Sequence, residues 1–399
     1  MIRNRFLFFS FFLLLVGLTT AVKSMDRGYV IKGHITGVPD GASVKLSYAD
    51  FATGNEVLGS THVKEGAFEL KGTLSSPRLL SLLITVKGQE GKGTCFFAEN
   101  GTIAISGAVE DLLDQSAMAN RMGTAAKIKV TGSASHDLYL TYVVKKAPLD
   151  QQINTLRTFD LYVPEPGTPV KDRIRISSIL DSLMAEKIKV GLDFILKAPL
   201  SEVSCYVGSQ TISIVDIRIA DVDKMMQHLT AAADGPLKQQ LLKGAVTARF
   251  SAVGASFKDF VLQDVNGKSY HLKDHLGKGK YVLLEFWASW CGVCRKSFPH
   301  LKECYELYHP AGLEIVAISL DDKKEAWKEA MDKDGTTSWL QLSDLLGYNS
   351  SIVKAYGFSG VPVSILYDPE GKVVTRNFRG AWMEKILIGQ FGDRFTTHP

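Results

Sequence analysis

The spacing of hydrophobic residues changes along the chain and divides it into three parts. Between residues 29 and 132, apolar and polar residues alternate in short runs that are separated by glycine-rich turns. This alternation predicts strands with one buried face, and the Glu-Asn-Gly segment at residues 99–101 predicts a hairpin between two of them. We therefore expect a small all-β domain over residues 25–133. It contains no cluster of catalytic residue types, which favours a structural or docking role.

The middle part of the chain has a helical pattern. Its apolar residues recur at spacings of three and four, most clearly over residues 170–196, as in an amphipathic helix. Ser135 is the expected cap of the first helix. We predict that residues 134–250 form a helical segment, and we interpret this segment as a spacer.

The last part, residues 251–399, alternates strands and helices. An apolar run at residues 281–287 predicts a buried strand, and an amphipathic stretch at residues 291–308 predicts the helix that follows it. A second apolar strand comes next, and Asp321 and Asp322 are expected to cap the helix after it. A hairpin and a closing helix complete the pattern, which is typical of a mixed-sheet α/β domain.

The first 24 residues are different again. Arg3 and Arg5 give a basic start, residues 6–18 are apolar, and residues 19–24 are mostly small or polar. This order predicts a secretory signal peptide, and its apolar core is too short to span a bilayer comfortably. We therefore expect an exported protein; an uncleaved N-terminal membrane anchor is the alternative.

Composition and charge indicate which kinds of partner and chemistry to expect. The 399 residues are 45% hydrophobic and 22% charged, and the net charge of +4 comes from scattered lysines and arginines. This charge distribution gives no reason to expect nucleic acid as a partner. Five cysteines are few for a secreted scaffold held by disulfides, which would also have an even number of them. One close pair and three isolated cysteines favour redox chemistry instead. The cysteines are Cys95, Cys205, Cys291, Cys294 and Cys304.

Two cysteines lie together in the segment Trp-Cys-Gly-Val-Cys, residues 290–294. The predicted strand and helix place them in the first turn of the helix, where free backbone N–H groups and the helix dipole favour a thiolate. Cys291, nearer the helix end, is the expected attacking thiolate, and Cys294 is expected to resolve the mixed disulfide. Arg295 and Lys296 add positive charge that favours the thiolate.

Three other uses of a Cys-x-x-Cys pair deserve comparison. Covalent haem attachment requires His after the second cysteine, where Arg295 stands, and a structural disulfide over four residues constrains little of the unfolded chain. A zinc site is the third, and its ligands would be Cys291, Cys294, His300 and Cys304. The helix would carry the last two away from its N-terminus, so we expect a buried Cys304 and a surface His300.

Glu285 is the one charged residue in the apolar run before the cysteines. Burial would raise the pKa of its carboxyl and allow it to carry protons to or from Cys294. The alternative is a carboxyl that reaches solvent at the strand end.

The segment Glu-Phe-Trp-Ala-Ser-Trp-Cys-Gly-Val-Cys, residues 285–294, resembles the active-site stretch of thioredoxins. Pro299 falls where that family's active-site helix carries a proline, Gly-Val-Pro at residues 360–362 matches its cis-proline loop, and residues 368–372 match its following hairpin. With the signal peptide and an extra hairpin from about residue 253, the chain looks most like exported thiol–disulfide oxidoreductases of the TlpA/ResA type, with an AhpC/TSA- or redoxin-like C-terminal domain.

The resemblance implies a thioredoxin fold over residues 253–395. It also implies that Pro362 is cis and lies beside the cysteines, and that the Val361 backbone pairs with a substrate strand. Three departures concern the site. Gly-Val replaces the Gly-Pro of thioredoxin between the cysteines, and Glu285 replaces Asp at the buried acid position. Ser297 stands where many TlpA-type helices have Glu.

We therefore predict a periplasmic enzyme that reduces disulfides in client proteins. It would act in cell redox homeostasis, in a role similar to that of the reductases of cytochrome c maturation. A membrane thiol donor would restore the dithiol, and no cofactor or metal is expected. The predicted site residues are Cys291, Cys294 and Glu285 for catalysis, Trp290, Val361 and Pro362 for substrate binding, and Gly292 and Val293 for tuning the reduction potential.

Three alternatives stay open at this point. A disulfide oxidase or isomerase would use the same fold and the same cysteines. A thiol peroxidase would require Thr-x-x-Cys, where this chain has Ser-Trp-Cys at residues 289–291. A non-catalytic module would sense redox state through the cysteines, and no residue pattern indicates an oligomeric state.

Overall fold

A computed structural model describes residues 28–49, 56–116, 123–164, 169–376 and 378–395. The predicted signal peptide lies outside these described residues. No helix within them combines the length and the apolar character needed to cross a membrane.

The N-terminal domain consists, in its described part, of two β-sheets around one apolar core. Alternate residues of the first strand are buried, as the period-two pattern predicts. One sheet has the order β4-β1-β7-β9 and the other β3-β2-β5-β6-β8. The strands are β1 (Tyr29–Thr36), β2 (Ser43–Tyr48), β3 (Val57–His62), β4 (Ala67–Gly72), β5 (Arg78–Thr85), β6 (Lys92–Ala98), β7 (Thr102–Ala108), β8 (Leu113–Asp114) and β9 (Lys129–Thr131).

The hairpin predicted at the Glu-Asn-Gly segment is wrong. Strands β6 and β7 flank this segment but belong to different sheets, so the segment carries the chain from one sheet to the other. The Asn100 side-chain amide accepts from the Leu74 N–H and donates to the Leu74 carbonyl, both at 2.9 Å. Glu99 accepts a hydrogen bond from the Ser133 hydroxyl at 2.7 Å, and this contact ties the crossover to the start of the first helix.

The helical segment packs against the β domain. Ser133, not the predicted Ser135, caps the first helix by accepting from the His136 N–H at 3.0 Å. The aromatic rings of Phe97 on β6 and Tyr206 in the helical segment meet edge to face, with centroids 5.5 Å apart. The helices are α1 (Ala134–Leu156), α2 (Val170–Lys197), α3 (Glu202–Ile212), α4 (Ile219–Leu229) and α5 (Pro236–Ser251).

The C-terminal domain is a five-stranded mixed sheet with helices on both faces, preceded by a β-hairpin. Its order is β14-β13-β12-β15-β16; the central strand β12 is parallel to β13 and antiparallel to β15. The strands are β10 (Val261–Gln263), β11 (Ser269–His271), β12 (Tyr281–Trp287), β13 (Leu313–Ser319), β14 (Leu340–Leu342), β15 (Val363–Tyr367) and β16 (Val373–Arg376). The helices are α6 (Gly292–Tyr308), α7 (Lys324–Asp334), α8 (Ser351–Tyr356) and α9 (Gly380–Phe391).

The helical segment also packs against the C-terminal domain, so it is more than a spacer. Helix α2 lies along α9, where Arg173 forms a buried ion pair with Glu384. Nearby, the Trp382 indole N–H donates to Asp181 at 2.7 Å, and the buried side chain of Leu180 joins an apolar cluster with residues of both domains. These contacts bring the helical segment close to the edge of the predicted site.

Candidate active site

Cys291 and Cys294 are joined by a disulfide bond at the start of α6. Cys291 is the N-cap residue, and its sulfur accepts a hydrogen bond from the Cys294 N–H at 3.2 Å. Cys291 is 6% exposed and Cys294 is fully buried, so the Cys291 sulfur is the more accessible of the two. When the pair is reduced, the N–H groups and dipole at this helix end stabilise a thiolate on Cys291.

Asp321 holds the turn that precedes the cysteines. It is buried, and it accepts hydrogen bonds from the Ser289 N–H at 2.9 Å and from the Ser289 and Ser319 hydroxyls at 2.5 and 2.7 Å. The prediction that Asp321 caps the next helix is wrong, because Lys323 is the N-cap of α7. The position of Asp321 just after β13 could have revealed its contact with Ser289, which follows β12, since the ends of neighbouring parallel strands meet at one edge of a sheet.

The positive charge next to the cysteines is largely engaged by a carboxylate. Arg295 donates two hydrogen bonds to Asp334, at 2.6 and 2.8 Å, and a third to the Ser289 carbonyl at 3.3 Å. This bidentate pair fixes α6 against α7. Because Asp334 offsets its charge, Arg295 favours the Cys291 thiolate less than the sequence alone suggests.

Glu285 lies in the centre of the sheet. It occupies β12 opposite Ala317 of β13 and Ser364 of β15, and it is only 3% exposed. Burial raises the pKa of its carboxyl to about 7, while the charge of Arg379 acts in the opposite direction. The carboxyl therefore does not reach solvent at the strand end, and it can change protonation state near neutral pH.

The loop before β15 lies against the disulfide. The peptide bond between Val361 and Pro362 is cis, and the Val361 carbonyl oxygen is 3.7 Å from the Cys291 sulfur. Residues about seventy positions apart in sequence are thus brought together. Pro299, which the thioredoxin resemblance also singled out, lies inside α6.

An exposed apolar surface flanks the disulfide. Trp290 is 56% exposed, and its ring lies 6.0 Å from that of Tyr348, centroid to centroid. Val293, which lies between the two cysteines, is also exposed. The sequence prediction missed Tyr348, and its large aromatic side chain in the loop of residues 343–350 was the available signal. At Gly292 an added Cβ would meet open space, so this position can accept a side chain without steric conflict.

His300 and Cys304 lie on the inner side of α6 and form a polar cluster with α9. The prediction of a surface position for His300 is wrong, because its Nε2 atom is 3.0 Å from Glu384 in a mostly buried contact. Cys304 is buried as predicted, 3.8 Å from His300, and burial raises the pKa of its thiol well above the ordinary value. Among the described residues, no three His, Cys, Asp or Glu side chains are grouped as metal ligands.

Two protein families and several known proteins match parts of this chain. Residues 253–376 match the AhpC/TSA family, and residues 29–139 match DUF4369, a domain of unknown function. The thiol-disulfide oxidoreductase ResA of Geobacillus thermodenitrificans is 34% identical over 122 residues, which are 31% of this chain and 67% of that protein. The ResA of Bacillus subtilis is 37% identical over 121 residues, 30% of this chain and 64% of that protein. The chain belongs to the ResA-type thiol–disulfide oxidoreductases.

This membership confirms the predicted resemblance, fold class and enzyme class. The chain spans about two thirds of the length of these curated relatives. Among solved structures, the thioredoxin domain of a thiol-disulfide oxidoreductase from Bacteroides vulgatus is similar to this chain. It is 33% identical, with 36% of this chain and 99% of that chain covered and a TM-score of 0.32.

Proposed function

We propose that this enzyme is exported and reduces disulfide bonds in client proteins. The observation that carries the proposal is the disulfide at the N-terminus of α6, with the Val361 carbonyl 3.7 Å from the Cys291 sulfur. The more accessible sulfur of the pair and the backbone of the cis-proline loop therefore lie side by side. A client strand that pairs with this backbone would bring its own disulfide next to Cys291.

The reaction begins from the reduced enzyme. The Cys291 thiolate attacks one sulfur of the client disulfide, and the second client sulfur leaves as a thiolate. The Cys294 thiolate then attacks the Cys291 sulfur of the mixed disulfide and releases the first client sulfur. Two electrons pass to the client, and the enzyme keeps the disulfide between its own cysteines. The helix-end position and greater accessibility of Cys291 support this order of attack.

Glu285 is the proposed proton carrier. Cys294 must lose its proton before it can attack, and it is fully buried, so solvent cannot take the proton directly. A buried carboxylate whose pKa is raised to about 7 can accept this proton near neutral pH and later release it. Trp290, Val361 and Pro362 are the proposed substrate contacts, and Gly292 and Val293 are the proposed positions that tune the reduction potential.

The location and the reductant are also part of the proposal. The basic start and apolar core within residues 1–24 support export, and the periplasm is the compartment that the family resemblance implies. A compartment without a cytosolic thiol pool cannot return the enzyme to the dithiol form by itself. A membrane protein that donates thiols would therefore complete the cycle.

Trapping of mixed disulfides tests the proposal. We expect the purified protein to accelerate reduction of insulin by dithiothreitol. In cell extracts, we expect Cys294→Ala to accumulate mixed disulfides through Cys291, and Cys291→Ala to form none. Cys304→Ala is the matched control, because this buried thiol lies outside the disulfide and should leave the reaction unchanged. No acceleration by the wild-type protein, or equal trapping by both variants, would contradict the proposal.

A further inference from the structure

A cleft of about 340 Å³ opens between the helical segment and the C-terminal domain, and we call it the junction cleft. It begins at Pro362, the cis-proline beside the disulfide, and extends toward α2. Its wall includes Leu180 and Met184 from the helical segment, so the cleft exists only because this segment packs against the C-terminal domain. Its other lining residues include Arg157, Tyr162, Asp216, Arg376, Arg379 and Trp382.

Both acidic residues of the junction cleft are already engaged. Asp181 pairs with Lys385 and accepts a hydrogen bond from the Trp382 indole at 2.7 Å. Asp216 accepts from the Thr375 hydroxyl at 2.6 Å, and burial raises the pKa of its carboxyl, which favours the neutral form. Neither carboxyl therefore supplies a free negative charge to the space between the walls.

The arginines of the junction cleft are less fully engaged. Within the described ranges, no ion pair involves Arg157, which is exposed at the rim. Arg379 has its guanidinium 3.5 Å from the Ser364 hydroxyl, a weak contact. Arg376 is more engaged, because it donates to two backbone carbonyls at 3.0 and 3.1 Å and to the Ser251 hydroxyl at 3.4 Å. The positive charge that the cleft offers to an entering group therefore comes mainly from Arg157 and Arg379.

The position of the junction cleft connects it to the reaction. Pro362 directly follows Val361, whose carbonyl is 3.7 Å from the Cys291 sulfur. A strand advances about 3.3 Å per residue, so a client strand paired with Val361 would bring a residue near its cysteine to the cleft mouth. The rings of Tyr162 and Trp382, with centroids 5.1 Å apart, give the entering side chain an apolar wall to lie against.

We propose that the junction cleft binds the carboxylate side chain of a client residue close to the reactive cysteine, with Arg157 and Arg379 as its charged partners. This inference rests on the proposed client reduction and adds a substrate class to it, an acidic sequence next to the disulfide. Since Arg157 belongs to the helical segment, this segment takes part in selecting the client. Arg379 is half-buried, so a guanidinium–carboxylate pair at this residue is partly shielded from water and strong enough to influence the choice of client. Exposed Arg157 adds positive charge at the rim of the cleft.

A charge-swap experiment tests the proposal. Three fluorogenic disulfide peptides differ only at the two positions that lie two residues before and two residues after the reactive cysteine, where they carry Glu, Gln or Lys. For each peptide, kcat/KM is measured with the reduced full-length protein. We expect the wild-type protein to prefer the Glu peptide over the Gln peptide by about tenfold, mainly through KM, as a pair worth about 1.4 kcal/mol predicts. Arg157→Glu should reverse the order, so that the Lys peptide becomes the best substrate.

Arg175→Glu is the matched control, because Arg175 is exposed on α2 but does not line the junction cleft. It should keep the wild-type preference. Equal kcat/KM values for the three peptides with the wild-type protein would overturn the cleft proposal while leaving client reduction intact. An equal decrease of kcat/KM for all three peptides with Arg157→Glu would also contradict the cleft proposal. Failure of the wild-type protein to reduce any peptide would instead contradict the proposed function.

Discussion

Replacing Glu285 by Gln should make the protein more stable at high pH and slower in catalysis. Burial raises the pKa of the carboxyl from an ordinary value of 4.5 to about 7. In the unfolded chain the carboxyl ionises near its ordinary value, whereas in the folded protein it keeps its proton until about pH 7. The stability that the protonated Glu285 carboxyl contributes is therefore fully present below pH 4.5 and is lost as the pH rises from 4.5 through 7.

The size of this effect follows from the two pKa values. Each pH unit between them corresponds to about 1.4 kcal/mol, so this contribution falls by about 3 kcal/mol between pH 4.5 and pH 7 and the loss is complete by pH 8. Gln has nearly the same shape as a protonated Glu and does not titrate. We therefore expect Glu285→Gln to match the wild-type protein near pH 4 and to exceed its free energy of unfolding by about 3 kcal/mol at pH 8.

Urea unfolding of the oxidised protein, followed by tryptophan fluorescence, measures this difference. All five tryptophans lie in the C-terminal domain, so the signal reports on the domain that contains Glu285. The exposed Glu303 on α6 offers a control, because replacing an exposed side chain by Gln should change the free energy of unfolding little. A stability difference between wild type and Glu285→Gln that is the same at pH 4 and pH 8 would refute the reasoning. Undiminished turnover of Glu285→Gln at pH 7 would remove the proton-carrier role.

Two further changes test the contact between the helical segment and the C-terminal domain. Glu384→Gln removes the carboxylate charge from the buried ion pair with Arg173 and should cost about 3 kcal/mol at pH 7. Burial acts to raise the pKa of Glu384, but hydrogen bonds from His300 and Arg173 lower it below its ordinary value. The difference in free energy of unfolding between wild type and Glu384→Gln, measured with urea, should therefore shrink as the pH falls and the carboxylate of Glu384 takes up a proton. Gly380→Ala places a Cβ 2.1 Å from the Leu161 carbonyl oxygen at a φ of +52°, so it should cost about 2 kcal/mol of stability and lower Tm. Gly389→Ala is the control, because its added Cβ meets open space and should not lower Tm. An unchanged Tm for Gly380→Ala would contradict the packing described.

Some of the site was predictable because its signals are local. Cys291 and Cys294 lie where an apolar strand changes into an amphipathic helix, and this change is visible within about twenty residues. Glu285 was noticeable because a carboxyl inside an apolar run must be buried or reach the strand end. Val361 and Pro362 needed the resemblance to thioredoxins, since nothing in their own segment indicates that they lie beside the cysteines.

The sequence by itself determined the order of elements, the three-part division and the chemistry of the cysteine pair, because hydrophobic period and helix-end position act over short stretches. Tertiary structure alone decided that Asp321 holds the active-site turn, that Asp334 neutralises Arg295, and that the Glu-Asn-Gly segment crosses between sheets. It also placed Arg157 of the helical segment and Pro362 of the C-terminal domain in the walls of one cleft, the junction cleft. These outcomes depend on how separate elements pack, and local backbone preferences do not encode the distances between residues that are far apart in the chain.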